Sequence, residues 1–401
     1  MTPRTSTDTA GIPLRAQTAA AAPGVSFAPP AIGEREIAEV VATLESGWLS
    51  TGPRVKQFER AFADYVGAAH AVAVNSCTAA LHLSLLASKV GTGDEVITTP
   101  LTFCATANVV IHTGGTPVFA DIDPISLNLD PLAAGDAVTQ RTRAIVPVHY
   151  AGNPADMSAF QALARIHGLR LIEDAAHCVE GVAEGRKVGS IGDFTCFSFY
   201  ATKNLTTGEG GMVTTNDEDA ATFMRIASLH GMSRDAWARY APGGAAQYDV
   251  VMPGFKYNMM DIQAAIGLHQ LARLTELHAR RSAIWAQYDA GFADLPLRLP
   301  TPVDVGSVHA RHLYTVLVDD AATGMSRDTL QARLRDRGVS TSIHFRALHL
   351  HPYYQERFGL RRGMFPAAEA VSDTTLSLPL SAAMSASAVD RVIEAVHEVL
   401  R

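Results

Sequence analysis

Over the first two thirds of the chain, short runs that are apolar on both faces alternate with stretches of helical period. Ala71–Val74 reads as a buried strand, followed by the polar turn Asn75-Ser76-Cys77-Thr78 and a helix over Ala79–Ser88. After the Gly91–Asp94 loop comes a strand over Glu95–Thr99. The pattern predicts further strands at Pro117–Ile122, Ala144–His149, Arg170–Asp174, Thr195–Phe199 and Gly211–Thr215. Helical segments such as Asp156–His167 and Asp217–His230 lie between them. Strands buried on both faces need a helical layer on each side, which is the arrangement of a mostly parallel sheet in an α/β protein. The longest predicted helix is Asp261–His278, from the spacing of Ile262, Ala265, Ile266, Leu268, Leu271 and Leu274. Arg280–Asp289 and a connection through Pro296, Pro300 and Pro302 follow. The remainder reads as a smaller α/β unit: strand His312–Val318, helix Ser326–Arg337, strand Ser340–His344, and helix Ser387–Leu400 with Ser387 as its N-cap. The expected organisation is a flexible arm over 1–25, a large unit over 26–280 and a small C-terminal unit over 281–401.

Composition narrows the function classes. Of 401 residues, 47% are AVILMFWYC, enough for a large core. Lys and Arg number 33 against 40 Asp and Glu, a net charge of −7. Such a chain has no global attraction for nucleic acid or an anionic membrane, and only a local basic pocket stays open. Cys77, Cys104, Cys178 and Cys196 show no C-x-x-C spacing. They read as reduced thiols of a cytoplasmic protein, with neither a disulfide framework nor a metal site. No apolar stretch approaches the roughly 20 residues of a membrane span, and Met1–Gly24 lacks the continuous apolar core of a secretory signal.

Four places carry chemistry. Lys203 follows a buried strand in Ser198-Phe-Tyr-Ala-Thr-Lys-Asn-Leu-Thr-Thr-Gly-Glu-Gly-Gly211. A lone lysine there is a surface charge; a desolvated one at a strand end is an amine nucleophile able to form a Schiff base. Asp174 ends the strand of Leu171-Ile-Glu-Asp-Ala-Ala-His177, where it either caps a helix or faces a ligand, because ligands of open α/β sheets bind beyond the carboxyl ends of strands. His177 shares that rim, as a ligand contact or a structural histidine. The turn at Asn75–Thr78 caps a helix and offers free N–H groups to a phosphate, with Ser198 as a further hydroxyl. Phe103, just past a strand end, is either core or a flat surface for an aromatic ligand. His344, His349 and His351 cluster without a carboxylate or cysteine at ligand spacing and read as pocket lining. Walker, dinucleotide-binding, G-x-S-x-G and H-E-x-x-H motifs are absent.

Taken together, the phosphate turn, the aromatic, the strand-end aspartate and S-F-x-x-x-K-N-L-T-x-x-E-G-G resemble the DegT/DnrJ-type sugar aminotransferases. The likeness runs from about Phe27 to Leu400 and includes Glu45–Gly52, Pro147–Gly152, Gly254–Ala265 and His344-Phe-Arg346. Within the family, the Gly254-Phe-Lys-Tyr-Asn258 and His344–Ala347 segments are most similar to the UDP-4-amino-4-deoxy-L-arabinose aminotransferase branch. The resemblance implies fold type I: a large domain with a mostly parallel seven-stranded sheet, a smaller C-terminal α/β domain, and pyridoxal 5′-phosphate (PLP) as cofactor. It implies Lys203 as the Schiff-base lysine, Asp174 on the pyridine nitrogen, His177 near the ring hydroxyl and Phe103 on the ring face. Cys77, Thr78 and Ser198 would hold the phosphate. Lys256 or Asn258 would reach the phosphate of a neighbouring subunit in a homodimer with shared sites. Thr51, His344 and Arg346 are the expected substrate contacts, and Arg186 and Lys187 further cations for a nucleotide diphosphate. The implied reaction is amino transfer from L-glutamate, through a pyridoxamine phosphate form, to the ketone of a nucleotide-diphosphate keto-sugar, with C4 as the expected position. Aminosugar and antibiotic biosynthesis are its expected settings. Two alternatives stand beside it: a PLP-dependent sugar dehydratase or lyase, and a non-catalytic phosphosugar-binding regulator. Lys203 and the whole-chain likeness count against the first, and the retained Lys203 and Asp174 against the second.

Overall fold

In chain order the strands are β1 (His70–Val74), β2 (Glu95–Thr98), β3 (Thr116–Phe119), β4 (Thr142–Val146), β5 (Arg170–Asp174), β6 (Val182–Ala183), β7 (Arg186–Lys187), β8 (Phe194–Ser198), β9 (Gly211–Thr215), β10 (Leu297–Arg298), β11 (Tyr314–Val318) and β12 (Thr375–Leu378). These come from a computed structural model that describes residues 24–233 and 248–401. Seven strands form the central sheet in the order β1-β9-β8-β5-β4-β2-β3. Only β9 runs against the others, paired antiparallel to β1 and β8. The expected mostly parallel sheet is therefore present, with the carboxyl ends of β1, β5 and β8 and the amino end of β9 at one edge.

Helices cover both faces. Cys77–Ala87 is buried almost all round, from Ala79 through Leu85, as befits a helix wedged between the sheet and further helices. On the other face Phe58 and Phe62 meet Phe197 and Phe199 with ring centroids 5.0 to 5.5 Å apart. Each such buried ring contributes roughly 1.5–3 kcal/mol relative to exposure.

A second sheet, β10-β11-β12, carries the C-terminal unit. Trp285, Tyr288, Phe292, Tyr314, Leu334 and Val392 belong to its core. Val25 joins the same core and pairs with Val339, so the chain is anchored here from its first described residues; 1–23 of the expected arm lie outside them. The expected division at 280/281 falls inside a helix, Leu274–Gly291, whose Leu274 packs with the large unit and whose Tyr288 packs with the small one.

Three expected elements differ. The helix expected over Asp261–His278 ends at Ala272, because Arg273 leaves helical geometry and its guanidinium donates to buried Glu36; Arg280–Asp289 is part of Leu274–Gly291. Ser340–His344 is no strand. It makes one bridge, Ser342 to Ser377, and then diverges so that Ser342 through Phe345 line a cleft. The last helix begins at Ala386 with Ser385, not Ser387, accepting the N–H of Ala388. No helix among the described residues is long and apolar enough to cross a membrane.

Candidate active site

At the shared strand edge lies a cleft of about 530 Å³. Eight of the expected residues line it: Cys77, Thr78, Phe103, Asp174, His177, Ser198, Lys203 and His344. They arrive from four strand ends and from the segment of the C-terminal unit that diverges after Ser342.

The turn after β1 is built as an anion site. Ser76 caps the helix by accepting the N–H of Ala79, and Cys77 and Thr78 occupy its first turn, where N–H groups have no intrahelical acceptor. Gly211 lets β9 pass directly beneath: a Cβ there would stand 2.5 to 2.7 Å from backbone atoms of Ser76 and Cys77. The Cys77 thiol faces the Cys196 carbonyl at 3.6 Å, and burial pushes it well above the ordinary thiol range, so it stays protonated.

Asp174 ends β5 in the interior. Its Oδ2 accepts from the Thr106 hydroxyl at 2.7 Å and its Oδ1 from the Ala176 N–H at 3.1 Å. Burial raises its pKa against those bonds and the nearby Lys203 charge. Lys203 shifts the opposite way: burial lowers its amine to about 8, partly offset by Asp174. A lysine with that value is a free amine for an appreciable fraction of time near neutrality. His177 is held well below the usual imidazole range, mainly by burial and then by Lys203, and its Nδ1 is buried without a protein partner. Phe345 stacks on His177 at 5.9 Å. Phe103 is 60% exposed although it is a large apolar ring, so it lies on the cleft wall and not in the core.

Six expected residues stand outside the cleft lining. Asn258 donates to Thr51 at 2.7 Å, and both line a separate cavity with Lys56, Glu59 and Arg225. Lys256 is exposed, and its carbonyl accepts from Asn75. The Arg346 guanidinium donates to the Leu350 carbonyl at 2.8 Å. Arg186 and Lys187 sit on the β6–β7 hairpin, bonded to Gln161 and Tyr65. Sequence reasoning missed Thr106, whose only signal was a hydroxyl in the first turn of the helix after Phe103. It also missed Phe345, in spite of its place within His344-Phe-Arg346.

A lysine amine near its pKa, a buried carboxylate on the adjacent strand and a helix-turn anion site suit carbonyl–amine chemistry on a phosphorylated aromatic group. Comparison with known proteins agrees. The model of the DegT/DnrJ/EryC1/StrS aminotransferase family matches residues 30–397. The spore coat polysaccharide biosynthesis protein SpsC of Bacillus subtilis is 54% identical over 93% of this chain and 96% of its own. Among solved structures, the sugar aminotransferase Spr1654 of Streptococcus pneumoniae in its PMP form is 36% identical with a TM-score of 0.87, covering 94% and 98% of the two chains; the same protein is also known in a PLP form. Helicobacter pylori PseC, an aminotransferase involved in the biosynthesis of pseudoaminic acid, is 30% identical with a TM-score of 0.87, covering 94% and 99%. This chain belongs to the DegT/DnrJ/EryC1/StrS aminotransferase family, PLP-dependent enzymes that transfer an amino group to a sugar.

Proposed function

We propose that the chain moves the amino group of L-glutamate to the C4 ketone of a nucleotide-diphosphate keto-sugar, with Lys203 as the reacting amine. The observation that carries this reading is the meeting, in one cleft, of Lys203 with its lowered amine pKa and the buried Asp174 carboxylate.

The cleft fits PLP on three counts. Its anion turn at Cys77 and Thr78, with the Ser198 hydroxyl, suits the phosphate; Asp174 suits a protonated ring nitrogen; and the unpartnered His177 Nδ1 suits the ring hydroxyl. When bound, the cofactor supplies an electron-accepting ring that takes up the charge left on the donor's α-carbon. Asp174 keeps a proton on the ring nitrogen, and that cationic N–H in turn favours the ionised carboxylate that burial disfavours. Phe103, on the cleft wall, would lie against the ring. Lys203 would hold the cofactor through its amine, and once free that Nζ would be the base that takes the donor's α-proton and the acid that gives it back. The second half runs the same proton transfer in reverse on the keto-sugar, so both substrates use one site in turn and the kinetics are ping-pong.

His344, on the cleft wall, and Arg346, two residues on, are the groups proposed for the sugar and its diphosphate. The Gly254–Asn258 and His344–Ala347 segments support a UDP-linked 4-keto-pentose. The name of the SpsC relative supports an aminosugar made for a polysaccharide; antibiotic biosynthesis needs the same chemistry. We place the enzyme in the cytoplasm as a homodimer, with either Lys256 or Asn258 of one subunit directed at the phosphate of the other and Thr51 at its substrate. Two features support the homodimer. The Thr51–Asn258 pair faces a cavity apart from its own cleft, and helix Glu34–Glu45 exposes an apolar stripe of Ile37, Val41 and Leu44.

The test is the absorption spectrum of PLP-loaded protein before and after L-glutamate, beside Lys203→Ala. The reading expects a visible band that bleaches with glutamate and a variant that cannot complete the cycle. No band in wild-type protein would overturn it, and a band indifferent to glutamate would remove glutamate as donor.

A further inference from the structure

We infer that Asn204 is a positioning residue for Lys203, clamping the turn that carries the amine to the buried Glu180–Arg281 pair on one side and to His312 on the other. The inference rests on the reading of Lys203 as the reacting amine.

Asn204 commits its amide to three partners in two segments. Nδ2 donates to Glu180 Oε2 at 2.8 Å and to the Ala310 carbonyl at 2.7 Å. Both partners are acceptors only, so the orientation of the amide is fixed by chemistry: the nitrogen faces them and Oδ1 faces His312. His312 Nδ1 lies 3.0 Å from that oxygen and must be its donor. The imidazole is thus held with hydrogen on Nδ1, and burial keeps it neutral, with Lys203, His344, Arg281 and His309 all opposing a second proton. Its ring centroid is 4.5 Å from that of His177, the residue with the unpartnered Nδ1.

The other side of the clamp is equally buried. Glu180 Oε1 accepts from Arg281 on helix Leu274–Gly291, and both side chains are 4% exposed. The residue after Lys203 therefore ties the loop beyond β5 to the segment before β11 and, through Glu180, reaches the helix that leads into the C-terminal unit. The acidic and the shorter replacement both lose these bonds. An aspartate loses both donors and sets a second carboxylate against Glu180, and a serine is too short to span the three partners.

The test exchanges the two groups. Asn204→Asp and the double variant Asn204→Asp/Glu180→Gln are compared with wild type by three measurements. The first is the pH dependence of acetylation of Lys203 in cofactor-free protein, read by peptide mass spectrometry. The second is kcat and KM for L-glutamate in PLP-loaded enzyme. The third is the melting temperature. A carboxylate brought beside the ammonium moves the Lys203 labelling midpoint up by about one pH unit. A displaced turn lowers kcat by about 10²-fold while KM stays within about threefold. The double variant restores a donor–acceptor pair between 204 and 180 at unchanged net charge and recovers at least about tenfold of the lost kcat, while the labelling midpoint stays raised because the carboxylate at 204 remains. A purely structural role moves the melting temperature alone; an unmoved labelling profile and unmoved kcat in Asn204→Asp overturn the inference. If that variant does not fold, Asn204→Ser is read in its place, with the kcat loss expected and an unmoved kcat overturning. Wild-type protein that gains no visible band with PLP fails the reading of Lys203 instead, so the two failures are separable.

Discussion

Three imidazoles gather around Lys203, and all three are held neutral. Burial is the main cause for His177, His312 and His344, and the Lys203 charge adds to it in each case. His344 is lowered to about 4, with its Nδ1 2.8 Å from the Ser377 hydroxyl. An unfolded histidine titrates near 6.5. Between those values the unfolded chain binds a proton that the folded chain refuses, so the contribution of His344 is complete above about pH 6.5 and is lost progressively as pH falls towards 4. At about 1.4 kcal/mol per unit, the loss at pH 5 is about 2 kcal/mol from this residue. Asp174, with its raised pKa, acts in the opposite sense, but it is common to wild type and variant. Urea unfolding at pH 7 and pH 5 is therefore expected to show His344→Gln losing about 2 kcal/mol less than wild type over that interval. Equal losses would show that His344 titrates as an exposed imidazole does. The reactive pair was legible in sequence because a charge at or just past the end of a buried strand has few structural uses. Thr106 was not legible, since its role depends on a helix crossing beneath Asp174, a contact between residues 68 positions apart.

At the scale of elements, the anion turn depends on how closely β9 approaches it. Val74 pairs with Gly211, and the Cβ of any other residue at 211 would drive into the backbone of Ser76 and Cys77. Gly211→Ala should separate the strand from the helix start. The overpacking costs about 1–3 kcal/mol, and PLP affinity falls with it because the first-turn N–H groups are displaced. Thermal unfolding of the cofactor-free protein and a PLP titration measure the two effects. Unchanged affinity at lowered stability would mean that the turn does not hold the phosphate. The E-G-G signature thus has a steric cause, although the steric partner lies 135 residues earlier in the chain. The sheet was readable for a related reason, since strands covered on both faces are mostly apolar. The C-terminal unit was harder. Thr375-Leu-Ser-Leu378 is a four-residue strand with polar alternation, and it is fixed by pairing with β11 more than by its own pattern. Ser340–His344 is polar apart from Ile343 and keeps a single bridge, because its end is drawn into the cleft. Ser385 and Ser387 both suit a cap in sequence, and only the start of the helix separates them.

For the whole molecule, the question is whether one chain completes a site. Lys203 faces the cleft, whereas Thr51 and Asn258 face a different cavity. If the proposed homodimer shares its sites, Lys203 and Asn258 act in the same site from different subunits. Lys203→Ala and Asn258→Ala are then each inactive alone, the second through weakened phosphate binding. Mixed after dissociation and reassociation, half the dimers are hybrids. In each hybrid one site carries both defects and the other carries neither, because a two-fold axis pairs each residue with its counterpart in the partner. Activity should therefore return to about a quarter of the wild-type value for the same total protein, and titration with excess Lys203→Ala should raise the activity per Asn258→Ala subunit towards one intact site each. Sites built from single chains predict no recovery at any ratio. Recovery with Lys256→Ala in place of Asn258→Ala would assign the contact to Lys256, whose side chain is exposed on the same segment.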